Sequence, residues 1–251
     1  MKIKSVKAIA VNLSPNPKTQ PRVVLDPNGG YFVNPMDRYK YDPKYRSGSN
    51  WNRVACVVTA EDGTWGLGTT IHSGPVVSII NDHFSELLIG QNPMATEKIW
   101  DMMRRASSPY GTAGVVSYAI SALDNAIWDL KGKLLETPVY ELLGGPVKDD
   151  IFCYASNTML RYKTSDYMDW FLELGFKAVK VFLRHGPDEG LAGLNKNVEI
   201  IANTREQIGP DIELAVDSWM SSNIEYAVRV SEALKPYNIK WLEDYILPED
   251  M

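Results

Sequence analysis

Strand-like runs occupy residues 2–11, 53–60 and 64–70 of the chain, and the last two flank Glu61-Asp62-Gly63. Asp-Gly between two such runs predicts a hairpin, so the N-terminal part reads as a small antiparallel sheet. Helical spacing takes over afterwards, over 76–89, 95–106 and 112–135. In the third of these, Ala119, Ala122, Leu123, Ala126, Ile127 and Leu130 form one apolar stripe. Pro138 opens a short helix that Leu-Leu-Gly-Gly at 142–145 closes.

From residue 151 the rhythm changes. Strand-like runs at 151–156, 176–183, 212–216 and 239–245 alternate with helical runs at 165–174, 190–208 and the stretch after 222. Val198, Ile201, Ala202, Arg205 and Ile208 mark the face of the second helix. Ser222 with Glu225 reads as a capping box that opens the third, with Ile224, Ala227, Val228 and Leu234 facing inward. Strands alternating with helices at short spacing predict a parallel sheet. The expected fold is therefore α/β with an α+β cap, divided into domains at 1–150 and 151–251.

One segment has no period. Residues 14–50 are rich in Pro, Gly, Asn and Asp, and they also carry Tyr31, Phe32, Arg38, Tyr39, Tyr41, Tyr45 and Arg46. A structureless stretch of that length is functional or disordered. Its aromatic and arginine content predicts that it is ordered over a site.

Charge removes some function classes. A net charge of −5 and a pI near 5.3, with no basic stripe, exclude a general nucleic-acid binder. No run approaches the roughly 18 apolar residues of a membrane span, and the lysine-bearing N-terminus reads as a strand rather than a signal peptide. Cys56 and Cys153 lie far apart in strand-like runs, and the expectation is two buried free thiols in a cytoplasmic protein.

The chemistry is concentrated at strand ends. "IELAVD" and "IKWLE" each finish on a carboxylate, Asp217 and Glu243, with one helix between them. In parallel α/β folds sites lie at the C-terminal edge of the sheet. Two neighbouring carboxylates repel each other, and a hard divalent cation such as Mg²⁺ between them relieves the repulsion. Each acid could instead cap a helix or pair with a lysine. Lys180, near the end of the preceding strand, could bind a substrate carboxylate as a point charge, or simply face solvent.

"AISALDNAIWDLKGKLLETPVYELLGGPVKDDI" (119–151), "RHGPDEGLAGLNKN" (184–197), "LAVDSWMS" (214–221) and "PYNIKWLEDYILPED" (236–250) together resemble the enolase superfamily, mandelate racemase-like branch, and within it the acid-sugar dehydratases of the rhamnonate type. The resemblance implies an N-terminal capping domain followed by the first half of a modified β/α barrel. It implies a Mg²⁺ held by acids at the ends of three successive barrel strands, of which Asp217 and Glu243 match the first two. It also implies removal of the proton beside a substrate carboxylate, an enediolate, and loss of the neighbouring hydroxyl to give a 2-keto-3-deoxy acid. The loop over 14–50 would cover the sugar chain, with Arg46 and Tyr31 as substrate contacts. The partners implied are a small acid sugar and further copies of the chain in a homo-oligomer.

Two departures qualify this. Relatives that use Lys-x-Lys on the second barrel strand have their base at the second lysine; here that position is Phe182, which accepts no proton. Racemases and cycloisomerases of the lysine-dependent type are thereby disfavoured, whereas dehydratases with a His–Asp pair on later strands are not. That pair and the third acid would lie beyond Met251, so the expectation is a truncated chain. His185, just past the second strand, is the one histidine near the site, and no orienting partner for it is evident. The alternative is a non-catalytic half-barrel that binds sugar acids or a completing partner chain.

Overall fold

The computed structural model describes residues 1–12, 32–42, 51–156 and 164–250. The chain divides into two compact units. The first takes residues 1–15 and 49–149; the second takes 16–48 and 150–251, so the described residues 32–42 group with the C-terminal strands.

The first unit is built on an antiparallel sheet of β1 (Ile3–Val11), β2 (Arg53–Ala60) and β3 (Trp65–Thr70), in that order. The expected hairpin joins β2 to β3, with Gly63 at φ +90°. Helices α1 (Ser73–Ser78) and α2 (Ser85–Leu88) are joined by a π-helical turn, Ile79–Phe84. That turn presents Asn81, whose Oδ1 accepts from the Ala8 backbone N–H at 2.8 Å and whose Nδ2 donates to the Ala8 carbonyl at 2.9 Å. The outer edge of β1 is thus partnered at this point. On the other edge, Asp129 Oδ2 accepts from Leu67 N–H at 2.8 Å and Lys133 Nζ donates to the Trp65 carbonyl at 3.0 Å.

Two more helices, α3 (Thr96–Ser107) and α4 (Val115–Leu134), complete the core, and α5 (Val139–Leu142) follows. All six residues of the predicted α4 stripe are buried. The stripe uses alanines because the sheet comes very close. A Cβ on Gly66 would lie 2.0 Å from the Ala126 carbonyl oxygen, and one on Gly68 would lie 1.8 Å from that of Ala122. "WGLG" is therefore a contact surface for a helix backbone, not merely a loose strand.

The second unit carries a four-stranded parallel sheet, β4 (Ala155–Ser156), β5 (Ala178–Phe182), β6 (Glu213–Asp217) and β7 (Ile239–Glu243), in sequential order. Its helices are α6 (Thr164–Glu173), α7 (Gly190–Ile208) and α8 (Ile224–Leu234). Val179, Val181, Leu214 and Val216 are fully buried, as strands covered on both faces require. Arg205 sits on α7 but serves the loops: its guanidinium donates to the carbonyls of Tyr237, Gly209, Ile212 and Asn238 at 2.7–3.2 Å.

Four expectations are corrected. The run 151–156 gives a strand at only Ala155–Ser156, and Cys153 before it is exposed while Cys56 is buried; both thiols are free. The cap of α8 is Asn223, whose Oδ1 accepts from Tyr226 N–H at 2.8 Å. Ser222 is drawn away from that role by the Ser218 hydroxyl, 2.9 Å from its own. In α8 itself Tyr226, Ala227, Val230 and Leu234 face the core, whereas Ile224 and Val228 are exposed. Tyr226 turns inward because its hydroxyl donates to the His185 carbonyl at 3.0 Å, and the helix phase follows it.

Candidate active site

β6 and β7 deliver their last residues side by side. Asp217 and Glu243 are register partners in the parallel pair, and Phe182, the last residue of β5, pairs with Asp217 on its other side. Pairing continues past the acids: Leu183 N–H donates to the Asp217 carbonyl at 2.9 Å and Ser218 N–H to that of Glu243 at 3.0 Å. The chain then turns sharply, with Trp219, Met220 and Asp244 at φ +35°, +57° and +46°. Non-glycine residues held there cost on the order of 1 kcal/mol each, a strain typical of functional positions.

Lys180 stands between the two carboxylates. Its Nζ is 2.9 Å from Asp217 Oδ2 and 2.8 Å from Glu243 Oε1. The ammonium is buried, flanked by the rings of Tyr154 at 5.5 Å and Phe182 at 5.6 Å. Each acid has one further donor: Trp219 backbone N–H to Asp217 Oδ1 at 2.8 Å, and the Trp241 indole N–H to Glu243 Oε2 at 2.9 Å. Sequence reading overlooked Trp241, although the strand period places it on the same face as Glu243.

The charges settle unequally. Burial alone would lower the Lys180 pKa, but hydrogen bonds and charge from Glu243 and Asp217 outweigh it and hold the ammonium above the usual lysine range. Asp217 and Glu243 move in opposite directions. Burial pushes its carboxyl up, against the opposing pull of Lys180 and the Trp219 N–H. Burial also acts on Glu243, but Lys180 and Trp241 prevail and its carboxyl is lowered. One lysine leaves two acids on opposite sides of their ordinary values because the Asp217 side chain is 5 % exposed and that of Glu243 33 %.

A strap runs beside these strand ends. Val33 is buried in the core of the second unit, and its N–H donates to the Leu183 carbonyl at 3.0 Å. Phe32 packs on Phe182 and on Trp219, each with ring centroids 4.8 Å apart. Farther along, Lys40 forms ion pairs with Asp37 and with Glu189, and Glu189 Oε2 is 2.8 Å from His185 Nδ1. Asp37 reaches so close to the β5–α7 loop that a Cβ on Gly186 would lie 2.0 Å from its Oδ2.

Of the expected site residues, Asp217, Glu243 and Lys180 come together. His185 belongs to the strap's ionic network: Glu189 is its partner, and its backbone is held over α7 and α8 by Asn197 Oδ1, 3.2 Å from its N–H, and by the Tyr226 hydroxyl on its carbonyl. Arg46 and Tyr31 lie outside the described residues. Among the described residues no group of three His, Cys, Asp or Glu side chains is arranged to hold a metal, and no helix is long and apolar enough to cross a membrane.

Comparison with known proteins gives the chain its relatives. Residues 46–144 match the mandelate racemase / muconate lactonizing enzyme N-terminal domain, and residues 165–251 match the enolase C-terminal domain-like family. The L-rhamnonate dehydratase of Saccharopolyspora erythraea is 42 % identical over 226 residues, 88 % of this chain and 55 % of the relative. The crystal structure of L-rhamnonate dehydratase from Gibberella zeae superimposes with a TM-score of 0.81 at 31 % identity, covering 99 % of this chain and 59 % of that one. A structure of the Gibberella zeae enzyme complexed with Mg gives 0.82 at 30 % identity, with 99 % and 61 % covered. The chain spans about half the length of the curated relatives it matches.

Proposed function

Since the chain belongs to the enolase superfamily, in its mandelate racemase-like branch with rhamnonate dehydratase-like relatives, we propose that it supplies the metal-binding portion of an acid-sugar dehydratase acting on an aldonate of the L-rhamnonate kind. The observation that carries this is the Asp217–Lys180–Glu243 arrangement at the ends of adjacent parallel strands.

The donor set fits Mg²⁺. Two carboxylates converge on one cationic point, and hard oxygen ligands are what this ion takes. Asp217 and Glu243 are the residues that would hold it. When bound, Mg²⁺ would neutralise charge that builds on the substrate carboxylate as the neighbouring carbon loses its proton.

The chain's own residues then have separable tasks. Lys180 stays protonated and places a fixed positive charge where the substrate's carboxylate group arrives. The backbone N–H of Trp219 and the indole of Trp241 orient the two acids, so that each keeps one oxygen turned to the centre. Phe182 takes the position at which lysine-dependent relatives carry a base; it accepts no proton, which favours elimination over racemisation. A base is then required from outside the described strands.

The test is incubation of the chain with Mg²⁺, imidazole as an external base and a panel of aldonates, L-rhamnonate first, with product identified by mass and by reaction of its keto group. A 2-keto-3-deoxy acid supports the reading. An epimer or a cyclised product with no loss of water overturns it.

A further inference from the structure

A carboxylate has two oxygens, and each acid of this centre gives Lys180 only one. Asp217 turns Oδ2 to the ammonium and has Oδ1 on the Trp219 backbone N–H. Glu243 turns Oε1 to the ammonium and has Oε2 on the Trp241 indole N–H, at 2.9 Å. The two outer bonds differ in kind. The bond to Asp217 comes from the main chain, and the Asp217 side chain is buried. The bond to Glu243 comes from a side chain, and Glu243 is the longer and more exposed acid, free to rotate its carboxylate unless something holds it.

Trp241 has the chemistry for that task. It stands two residues before Glu243 on β7, so strand alternation puts both side chains on one face. An indole N–H donates and cannot accept. It therefore occupies Oε2 without adding a charge to the centre and without competing as a metal ligand. The indole is held in its turn by Tyr154, whose ring meets it edge-on, with centroids 5.4 Å apart and planes at 75°. The same Tyr154 ring lies 5.5 Å from the Lys180 ammonium. One tyrosine thus braces both the indole that fixes Glu243 and the cation between the acids.

Divalent ions differ in how they take a carboxylate. Ca²⁺ is large, collects many oxygens and accepts both oxygens of one carboxylate, whereas Mg²⁺ is small and takes fewer protein ligands in a stricter geometry. We propose that Trp241, braced by Tyr154, is a positioning residue that confines Glu243 to ligation through Oε1 alone, and that this makes the centre favour Mg²⁺ over Ca²⁺. Ca²⁺ must displace the indole to use Oε2; Mg²⁺ has no need to. The proposal rests on the metal-binding reading of the Asp217–Lys180–Glu243 centre and adds what selects the ion.

Dissociation constants of Mg²⁺ and Ca²⁺ for the whole chain are measured by titration calorimetry in the parent, Trp241→Phe and Tyr154→Leu. Trp241→Phe keeps a ring against Tyr154 and removes the donor. Loss of an outer partner of this kind costs about ten- to a hundredfold in metal affinity. The expected result is Mg²⁺ bound about tenfold more weakly by Trp241→Phe with Ca²⁺ little changed, so that the preference for Mg²⁺ falls about tenfold. Tyr154→Leu leaves the N–H and removes its brace, and gives an independent measure of the same ratio; a fall of about threefold is expected. Equal weakening of both ions marks a merely structural role and overturns the proposal, as does a ratio unmoved in both variants or a parent that binds Ca²⁺ as tightly as Mg²⁺. In those cases Mg²⁺ binding by the parent leaves the metal reading standing. A parent that binds no Mg²⁺ overturns the metal reading and the proposal with it.

Discussion

Asp217 and Glu243 are register partners on adjacent parallel strands, and one ammonium, that of Lys180, reaches a carboxylate oxygen of each within 2.9 Å. The arrangement is balanced only while a cation is present. Lys180→Met removes it and leaves two neighbouring acids with only a neutral donor each. The variant is expected to lose about 2–3 kcal/mol of stability at neutral pH without metal, the lower part of the cost of an uncompensated buried charge, because Glu243 keeps access to water. Mg²⁺ should restore much of this, so the rise in Tm on adding the ion should be larger in Lys180→Met than in the parent. Thermal unfolding with and without Mg²⁺ measures both effects.

Metal binding should require both acids. An ion that binds only the folded state stabilises it by about 2.7 kcal/mol at a hundredfold excess over Kd. Asp217→Asn and Glu243→Gln should each abolish the concentration-dependent increase in Tm, while chelator lowers the parent to its metal-free value. A Mg²⁺ response that survives in both variants would place the ion elsewhere.

The strap's ionic link has a definite pH window. Burial raises the Glu189 carboxyl, but Lys40 and His185 outweigh it and hold it below its ordinary 4.5; its stabilisation is present above that value and lost as pH falls through the lowered one. Burial lowers Lys40, but Glu189 and Asp37 prevail and hold it above 10.5; its stabilisation is present below that value and lost as pH rises through the raised one. Glu189→Gln should therefore cost about 1 kcal/mol between roughly pH 4.5 and 10.5 and progressively less in acid below it. Denaturant midpoints across that range for parent and variant check the shape.

How much of this could be read in advance depended on how local the cause is. The α4 stripe, the Asp-Gly hairpin and the two strand-end acids follow from period and turn chemistry, which act over a few residues. The α8 cap did not, because a hydroxyl contact between Ser218 and Ser222 competes for the side chain that the capping pattern selects. The partner of His185 is only four residues away, yet a single His–Glu spacing does not reveal that Lys40 on a remote strap completes the network. Phe32 was legible only as one aromatic of the segment 14–50, and its packing on Trp219 was not, since that contact is tertiary.

Gly68 offers a test of the close sheet–helix approach in the first unit. Gly68→Ala would drive a methyl into the backbone of α4 at Ala122, where no side chain can move aside. The expected cost is about 3 kcal/mol or more, at the upper end for overpacking. Gly63→Ala, at the hairpin and with open space around it, should cost less and only through its positive φ. Chemical denaturation of the two variants ranks them.

The two thiols should behave as different chemical species. Burial pushes the Cys56 thiol up to about 12, and the side chain has no contact with solvent, whereas Cys153 is exposed. A thiol reagent at mildly alkaline pH should label Cys153 alone in the native protein and both in denaturant. Labelling of both at one rate under native conditions would show that the first unit opens readily.

The hydrogen bond from Val33 to Leu183 joins residues that leave the ribosome 150 positions apart. At about 5–20 residues per second the strap waits roughly 8–30 s for the strand that will receive it. Throughout that interval Phe32 and Val33 are an apolar patch on a nascent chain whose N-terminal unit can already be folding around them in sequence. A segment made early is therefore seated only after a strand made 150 positions later has formed to receive it.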